Sequence, residues 1–128
     1  MKTIITGGAG FIGSNLVDQL VKLGHQVVVL DNLSTGHLSN LYQVKNEIEF
    51  VNIDVSSGED FIYKYFDNVD WVFHIAGLAD MLPSIINPNK YFQSNVIGTL
   101  NVLGASKKAK VKKLIYVASA SCYGIPDK

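Results

Sequence analysis

Three glycines near the start of the chain have the spacing of a phosphate-binding loop. The stretch from Gly7 to Gly13 satisfies the pattern G-x-G-x-x-G through Gly8, Gly10 and Gly13. Such glycines permit a tight turn, a close approach of the backbone to a pyrophosphate, and close packing of a helix on a strand. A glycine string alone indicates only a turn. Here it lies between a β-branched run and a helical pattern, which is the context of a dinucleotide site.

An acidic residue, Asp31, follows the apolar run Gln26–Leu30, which has the pattern of a strand buried on both faces. A carboxylate at this place can accept both hydroxyls of an adenosine ribose and would repel a 2′-phosphate. The chemistry of Asp31 therefore favours NAD over NADP. Taken alone, the residue could also be a helix cap or a solubilising loop residue.

Small or polar residues follow each of the five strands that the sequence predicts. They are Gly7, Asp31, Asp54, Ala76 with Gly77, and Ser119. In open α/β sheets, ligands bind beyond the carboxyl ends of the strands, near the point where the strand order reverses. These residues therefore predict a dinucleotide site at one edge of a sheet.

The elements that must position these residues alternate between strands and helices. The predicted strands cover residues 3–6, 26–30, 49–53, 71–75 and 114–118. Helical patterns cover residues 11–23, a segment capped by Ser57, and a longer segment that starts near Asn87. In the longer segment, Phe92, Val96, Leu100 and Leu103 are expected to face the core. This alternation predicts an α/β fold, a Rossmann-like doubly wound parallel sheet of strand order 3-2-1-4-5.

The bulk composition is that of an ordinary globular domain in a reducing compartment. The 128 residues carry a formal net charge of zero, which disfavours nucleic acid as the main partner. The single cysteine, Cys122, cannot form an intramolecular disulfide and fits the cytoplasm. We expect no membrane partner, since the chain has neither a signal-peptide pattern nor a run of roughly 18 apolar residues.

The three histidines lack the spacing of metal ligands, so no metal site is predicted. His74 closes the fourth predicted strand. A histidine in that position is expected to be a hydrogen-bonded structural residue rather than a ligand.

The motifs together resemble the extended short-chain dehydrogenase/reductase family, in particular the N-terminal part of its nucleotide-sugar epimerases and dehydratases. The matching stretches are Thr6–Leu20, Leu30–Gly36, His74–Asp80, Ser84–Pro88, Asn95–Leu103 and Ser119–Gly124. The resemblance implies one NAD(P)-binding Rossmann domain over residues 1–128, incomplete because the later strands and the substrate domain are lacking.

The resemblance also implies a role for individual residues. The glycine loop, with Phe11 and Ile12, would hold the pyrophosphate of NAD, and Asp31 the ribose. Ser119 matches the catalytic serine or threonine of the family. The full set of expected NAD-binding residues is Gly7, Gly10, Phe11, Ile12, Gly13, Asp31, Asn32, Ser34, Thr35, Gly36, Asp54, Val55, Ile75, Ala76, Gly77 and Asn95.

The activity implied by the resemblance is 4-epimerisation of a UDP-sugar, by transient oxidation at C4 and return of the hydride. The family's base is a Tyr-x-x-x-Lys pair, and none of the six tyrosines here is followed by lysine four positions later. We therefore expect the N-terminal NAD-binding part of an epimerase that is inactive alone and homodimeric at full length.

Other functions of the same cofactor site stay open. Ala120 and Ser121 stand where the family's dehydratases carry an Asp-Glu pair, which disfavours a dehydratase. A reductase of the same family and a non-catalytic NAD-binding sensor are the remaining alternatives.

Overall fold

A five-stranded parallel sheet forms the centre of the protein in the computed structural model, which describes residues 1–124. The strands are β1 Lys2–Thr6, β2 Gln26–Asp31, β3 Ile48–Asn52, β4 Trp71–His74 and β5 Lys113–Tyr116. Their spatial order is β3-β2-β1-β4-β5, and every neighbouring pair is parallel. The predicted fold and strand order are confirmed. Residues 125–128 of the predicted domain lie outside the described residues.

The central strands are buried on both faces because packed segments cover each side of the sheet. Successive side chains of a strand point to opposite faces. Ile4 of β1 accordingly belongs to a core with Phe66 and Val102, whereas Ile5 belongs to a second core with Val17 and Leu41. The two cores hold β1 and β2 from both sides, which fixes the position of their carboxyl ends.

A 3₁₀ helix, Leu38–Val44, connects β2 to β3, and five α-helices with one π-helical turn lie between the other strands of residues 1–124. The latter are α1 Phe11–Lys22, α2 Glu59–Tyr63, α3 Met81–Ile86, α4 Pro88–Phe92, the π-helical turn Gln93–Ile97, and α5 Gly98–Lys108. Gly24 ends α1 as predicted, with a φ of +76° and an N–H that donates to the carbonyl of Val21 at 2.8 Å. Asn87 caps α4 by accepting the N–H of Lys90 at 3.2 Å. Within residues 1–124 there is no helix with the length and apolar character that crossing a membrane requires.

The predicted cap of α2 is wrong. Ser57 ends a 3₁₀ turn, Val55–Ser57, and Gly58 occupies the cap position with a φ of +129°. The turn forms because Asp54 caps it, accepting the N–H of Ser56 at 2.8 Å. A carboxylate is a strong cap, so the extra turn starts directly after Asp54 and displaces the start of α2.

The predicted core-facing stripe of the longer helix is also wrong. Phe92, Val96, Leu100 and Leu103 are 42–58% exposed, with Val96 at 42% and Leu100 at 58%. The buried residues of α5 are instead Gly98, Val102, Ala105 and Ser106. A Cβ on Gly98 would lie 3.0 Å from Cγ2 of Val55. Small residues thus let α5 approach its neighbours closely, and the larger apolar side chains are left facing outward.

Candidate functional site

A cavity of about 350 Å³ lies at the carboxyl ends of the strands. It is lined by Gly7, Gly10, Phe11, Ile12, Gly13, Leu30, Asp31, Asn32, Ser34, Thr35, Gly36, Ile53, Asp54, Val55, Ile75, Ala76, Gly77, Leu78, Ala79 and Ser94. Every residue expected to bind NAD lines this cavity except Asn95. The binding role of each lining residue stays a prediction.

Five lining residues were missed from the sequence. Leu30 and Ile53 are apolar neighbours of Asp31 and Asp54, so the strand-end pattern could have found them. Leu78 and Ala79 continue the predicted stretch Ile75–Gly77 along the same loop. Ser94 gives no local signal, because only the fold brings its helix to the cavity.

The glycine loop is shaped so that side chains are excluded from it. Gly7 has a φ of +71°, and a Cβ there would lie 2.7 Å from the backbone nitrogen of Ala76. A Cβ on Gly13 would overlap the carbonyl oxygen of Gly7. Gly10 occupies the cap position of α1 and forms no side-chain cap hydrogen bond. The first N–H groups of α1 are therefore available at the cavity wall, so the loop fits an anionic pyrophosphate.

Asp31 is held rigidly at the cavity wall, where it is only 7% exposed. One carboxylate oxygen accepts the N–H of Ala9 at 2.9 Å, and the other accepts the N–H of Leu33 at 2.8 Å. Each carboxylate oxygen can accept more than one hydrogen bond. The group therefore keeps acceptor capacity for hydroxyls in the cavity, which fits a ribose.

The loop after β2 is docked onto the glycine loop through Ala9. The carbonyl of Ala9 accepts the N–H of His37 at 3.0 Å and the side-chain amide of Asn40 at 2.8 Å. A Cβ on Gly36 would lie 2.8 Å from the carbonyl carbon of Ala9. The glycine loop and the wall that carries Asp31 are thus joined as one unit.

Asp54 joins the ends of β2 and β3. Its carboxylate accepts the side-chain hydroxyl of Ser56 at 2.7 Å and the side-chain amide of Asn32 at 2.9 Å. Burial raises the pKa of Asp54, but the hydrogen bonds from Ser56 and Asn32 outweigh it and leave the pKa below its ordinary value. Asp54 is therefore an acceptor that organises this wall of the cavity.

Asn95 lies on the π-helical turn and contacts a loop rather than the cavity. Its side-chain oxygen accepts the N–H of Leu78 at 2.8 Å, and its side-chain nitrogen donates to the carbonyl of Leu78 at 2.9 Å. Asn95 thereby fixes the segment after β4, and its neighbour Ser94 reaches the lining. Asn95 is not among the residues that line the cavity, and its predicted role in the cofactor pocket stays a prediction.

His74 is 1% exposed and hydrogen-bonded through both ring nitrogens. Nδ1 lies 2.6 Å from Oγ1 of Thr6, and Nε2 lies 2.8 Å from Oγ1 of Thr99. Burial lowers the pKa of His74 to about 4, which keeps the ring neutral near neutral pH. The expectation of a hydrogen-bonded structural histidine is confirmed.

Ser119 follows β5 at the same edge of the sheet and is exposed. It is not among the residues that line the cavity. Its predicted catalytic role stays a prediction.

The fold and the site together define a class. A parallel sheet of this order, a glycine loop at a helix N-terminus and an acid at the end of β2 are the features of dinucleotide-binding α/β proteins. Within that class, the chain belongs to the NAD dependent epimerase/dehydratase family, whose model matches residues 3–128. Family membership confirms the predicted family and agrees with NAD as the cofactor.

The proteins similar to this chain include enzymes with two different activities, epimerases and a dehydratase. A UDP-glucose 4-epimerase of Neisseria meningitidis serogroup C is 39% identical over 132 residues, which cover 99% of this chain and 39% of the relative. The structure of UDP-glucose-4-epimerase from Stenotrophomonas maltophila, with bound NAD and formylated UDP-arabinopyranose, has a TM-score of 0.91. It is 32% identical, and the match covers 100% of this chain and 40% of that one.

A third similar protein is a dTDP-glucose 4,6-dehydratase from Streptomyces venezuelae, whose structure was solved with NAD and TYD bound. It has a TM-score of 0.92 and 31% identity, and the match covers 100% of this chain and 42% of that one. The chain thus spans about 40% of the length of these relatives. Since an epimerase and a dehydratase match this fold equally well, the fold alone does not separate the two activities.

Proposed function

We propose that the chain is the NAD-binding part of a nucleotide-sugar 4-epimerase that acts on a UDP-sugar. The observation that carries the proposal is the convergence of the glycine loop, Asp31, Asp54 and the loop after β4 on one cavity. Its volume of about 350 Å³ is within the usual range for cofactor sites. The epimerases among the relatives support the choice of reaction.

Each wall of the cavity would hold a different part of NAD. The N–H groups at the start of α1 would bind the pyrophosphate, and Asp31 would accept hydrogen bonds from the adenosine ribose. Asp54 and Val55 would lie beside the adenine, and Ile75–Gly77 would follow the cofactor toward its nicotinamide. When bound, NAD supplies the acceptor for a hydride from C4 of the sugar and gives it back.

Ser119 would act at the substrate. Its hydroxyl would hydrogen-bond the sugar oxygen, but a serine of ordinary pKa cannot remove the proton from that oxygen near neutral pH. None of the tyrosines in the chain has the lysine that would make it a base. We therefore propose that the 128-residue chain binds NAD and does not epimerise.

Three further assignments belong to the whole protein. We propose a homodimer, located in the cytoplasm, whose domain over residues 1–128 is the incomplete NAD(P)-binding part. A dehydratase is the second candidate, because a dehydratase structure matches the fold. The residues after Ser119 count against it, since Ala120 cannot serve as an acid or a base.

Cofactor binding is tested by titrating the 128-residue chain with NAD and with NADP in a calorimeter. We expect saturable binding of one NAD per chain and weaker binding of NADP. If neither cofactor binds, the proposed site is wrong.

Activity is tested by assaying UDP-sugar epimerisation with the full-length gene product and with its Ser119→Ala variant. Loss of the hydroxyl should lower kcat by about 10²–10⁴-fold, because a polar group that contacts the reacting oxygen is removed. NAD affinity should stay nearly unchanged and serves as the control. An unchanged kcat would remove Ser119 from the reaction, and epimerisation by the 128-residue chain alone would show that a base has been overlooked.

A further inference from the structure

A buried chain of hydrogen bonds runs beneath the loop that follows β4, residues 75–79. It connects Thr6 at the end of β1, His74 at the end of β4, and Thr99 on α5, with contacts of 2.6 Å and 2.8 Å to the two ring nitrogens. Thr6 is fully buried, and His74 is 1% exposed. The same loop forms one wall of the cavity, from Ile75 to Ala79.

The direction of each hydrogen bond follows from the partners. The hydroxyl of Thr99 donates its only proton to the carbonyl of Asn95 at 2.7 Å. It must therefore accept the contact from His74, so Nε2 of His74 carries a proton. In the neutral ring Nδ1 is then an acceptor, and the hydroxyl of Thr6 donates to it.

The oxygen of Thr6 is thereby free to accept hydrogen bonds from the loop. It lies 3.2 Å from the backbone nitrogens of both Ile75 and Ala76. The N–H of Ile75 also contacts the backbone carbonyl of Thr6 at 3.1 Å, so it is the N–H of Ala76 that depends on the hydroxyl. If His74 carried its proton on Nδ1 instead, the hydroxyl proton of Thr6 would lose its acceptor. Only one tautomer of His74 therefore satisfies every member of the chain.

The other end of the chain returns to the same loop. The backbone carbonyl of Asn95 accepts the hydrogen bond from the hydroxyl of Thr99. The side chain of Asn95 forms hydrogen bonds with both backbone groups of Leu78 at 2.8 and 2.9 Å. The loop is thus held at Ala76 from β1 and at Leu78 from the π-helical turn, and His74 links the two anchor points.

We propose that His74 and Thr6 are positioning residues, which set the loop 75–79 at the distance and angle that the cofactor requires. The proposal rests on the proposed function of the cavity as an NAD site. Neither side chain is among the residues that line the cavity, so both act through the backbone of the loop.

The chain offers a matched control at the other end of β1. There the hydroxyl of Thr3 lies 3.0 Å from Nδ1 of His25, and Thr3 is as fully buried as Thr6. Thr3→Val and Thr6→Val each remove from β1 one buried hydroxyl that contacts a histidine. Only Thr6 touches the loop, so a difference between the variants reports positioning rather than lost stability.

The experiment compares the wild-type chain, Thr6→Val, Thr3→Val and His74→Phe, which keeps a ring able to stack on Tyr116. Two quantities are measured: NAD affinity by calorimetry, and amide hydrogen exchange of segment 75–79 without cofactor. We expect Thr6→Val and His74→Phe to weaken NAD binding by roughly 10-fold, the effect usual for removing a supporting hydrogen bond behind a ligand site. Both should also speed exchange in the segment, whereas Thr3→Val should leave both quantities within about 2-fold of wild type.

The outcomes separate this proposal from the one on which it rests. If wild type binds NAD and Thr6→Val behaves like Thr3→Val in both measurements, the positioning role is wrong and the cofactor site stands. Faster exchange with unchanged NAD affinity also overturns the role, because the loop would then not control binding. If wild type fails to bind NAD, the proposed cofactor site is wrong, and the positioning role for the cofactor falls with it, whatever the exchange measurement shows.

Discussion

The carboxylate of Asp31 has two roles, a structural role in holding two backbone N–H groups and a proposed role in binding ribose hydroxyls. Two backbone N–H groups, those of Ala9 and Leu33, occupy one position on each oxygen and fix the orientation of the group. The carboxylate also lines a cavity whose proposed ligand carries two adjacent hydroxyls. A fixed acceptor loses little entropy when it binds, so the structural hydrogen bonds support the proposed binding role.

Replacing Asp31 by alanine should affect both roles, and cofactor affinity and stability measure them separately. We expect NAD affinity to fall by roughly 10-fold or more, because the ribose hydroxyls lose a charged acceptor. Stability should fall by about 1–3 kcal/mol, because the N–H groups of Ala9 and Leu33 lose their partners. Calorimetric titration with both cofactors should also show a higher ratio of NADP to NAD affinity, because NAD loses an acceptor for its 2′-hydroxyl and the repulsion of the 2′-phosphate of NADP is removed.

Asp67→Ala is the control for Asp31→Ala, because Asp67 lies in the loop before β4, at the opposite edge of the sheet. It should leave both affinities unchanged. An unaltered ratio of affinities in Asp31→Ala would remove Asp31 from the ribose.

His74 should make the stability of the folded chain depend on pH. Its pKa is lowered from 6.5 to about 4 by burial, so between these values the unfolded chain binds a proton that the folded chain does not. The contribution of neutral His74 to the free energy of unfolding is fully present above pH 6.5. It is lost as the pH falls toward 4, which lowers the free energy of unfolding by about 3 kcal/mol. The ring in contact with His74 is that of Tyr116, which stacks on it with 5.5 Å between the ring centroids.

Urea unfolding of wild type and His74→Phe at a series of pH values measures this contribution. The difference in unfolding free energy between the two proteins should shrink as the pH falls from 7 to 4. A constant difference across that range would show that His74 is protonated alike in the folded and unfolded chain.

At the scale of elements, the glycine loop and α1 depend on each other. Gly13 lies in the first turn of α1, and its missing side chain lets the helix rest against the carbonyl of Gly7. The same contact places the N-terminus of α1 over the carboxyl end of β1. The packing of one helix thus determines the shape of the cavity.

Gly13→Ala should therefore disturb folding and binding together. The added Cβ would overlap the carbonyl oxygen of Gly7, and overpacking of this kind costs about 1–3 kcal/mol. Gly10→Ala is the matched comparison, because its Cβ would lie 3.3 Å from the same oxygen and its φ of −75° suits alanine. Thermal unfolding should show a larger loss of stability for Gly13→Ala, and equal losses would contradict the close approach.

At the scale of the whole molecule, large apolar side chains lie exposed along α4, the π-helical turn and α5. Phe92, Val96, Leu100 and Leu103 recur at helical spacing and are about half exposed. Large apolar side chains that are exposed at such a spacing favour an interaction site. It agrees with the proposed homodimer of the full-length protein.

The isolated chain should therefore self-associate through these side chains. Sedimentation over a wide range of concentrations should show a dimer of the wild-type chain. The double variant Leu100→Lys with Leu103→Lys should stay monomeric, because burying two charges in the interface opposes association. Tyr42→Lys is the control, since Tyr42 is also exposed but lies near Ile48 and Phe50 of β3. A wild-type chain that stays monomeric throughout, or a dimer that both variants leave intact, would contradict this assignment.

The resemblance to a known family supplied many residues of the cavity lining, and sequence alone determined the strand order, the glycine loop and the residues at the strand ends. These features follow from local signals: a buried parallel strand is a continuous apolar run, and a phosphate loop needs glycines at set intervals. Strands of a parallel sheet end at one edge, so the strand pattern by itself brings the residues after each strand together. The misplaced cap of α2 shows the limit: Asp54 and Ser57 are both good caps, but the fold uses Asp54 to cap the 3₁₀ turn and places Gly58 before α2.

Tertiary structure alone decided which face of α5 is buried and what Asn95 and His74 contact. The most apolar stripe of the helix faces outward, because close packing against Val55 requires a small residue such as Gly98. His74 meets Thr6 across 68 residues of sequence, and Asn95 meets Leu78 across 17. Hydrogen bonds between distant residues leave no periodic trace in a sequence, because the partner of a buried polar group is set by how the elements pack.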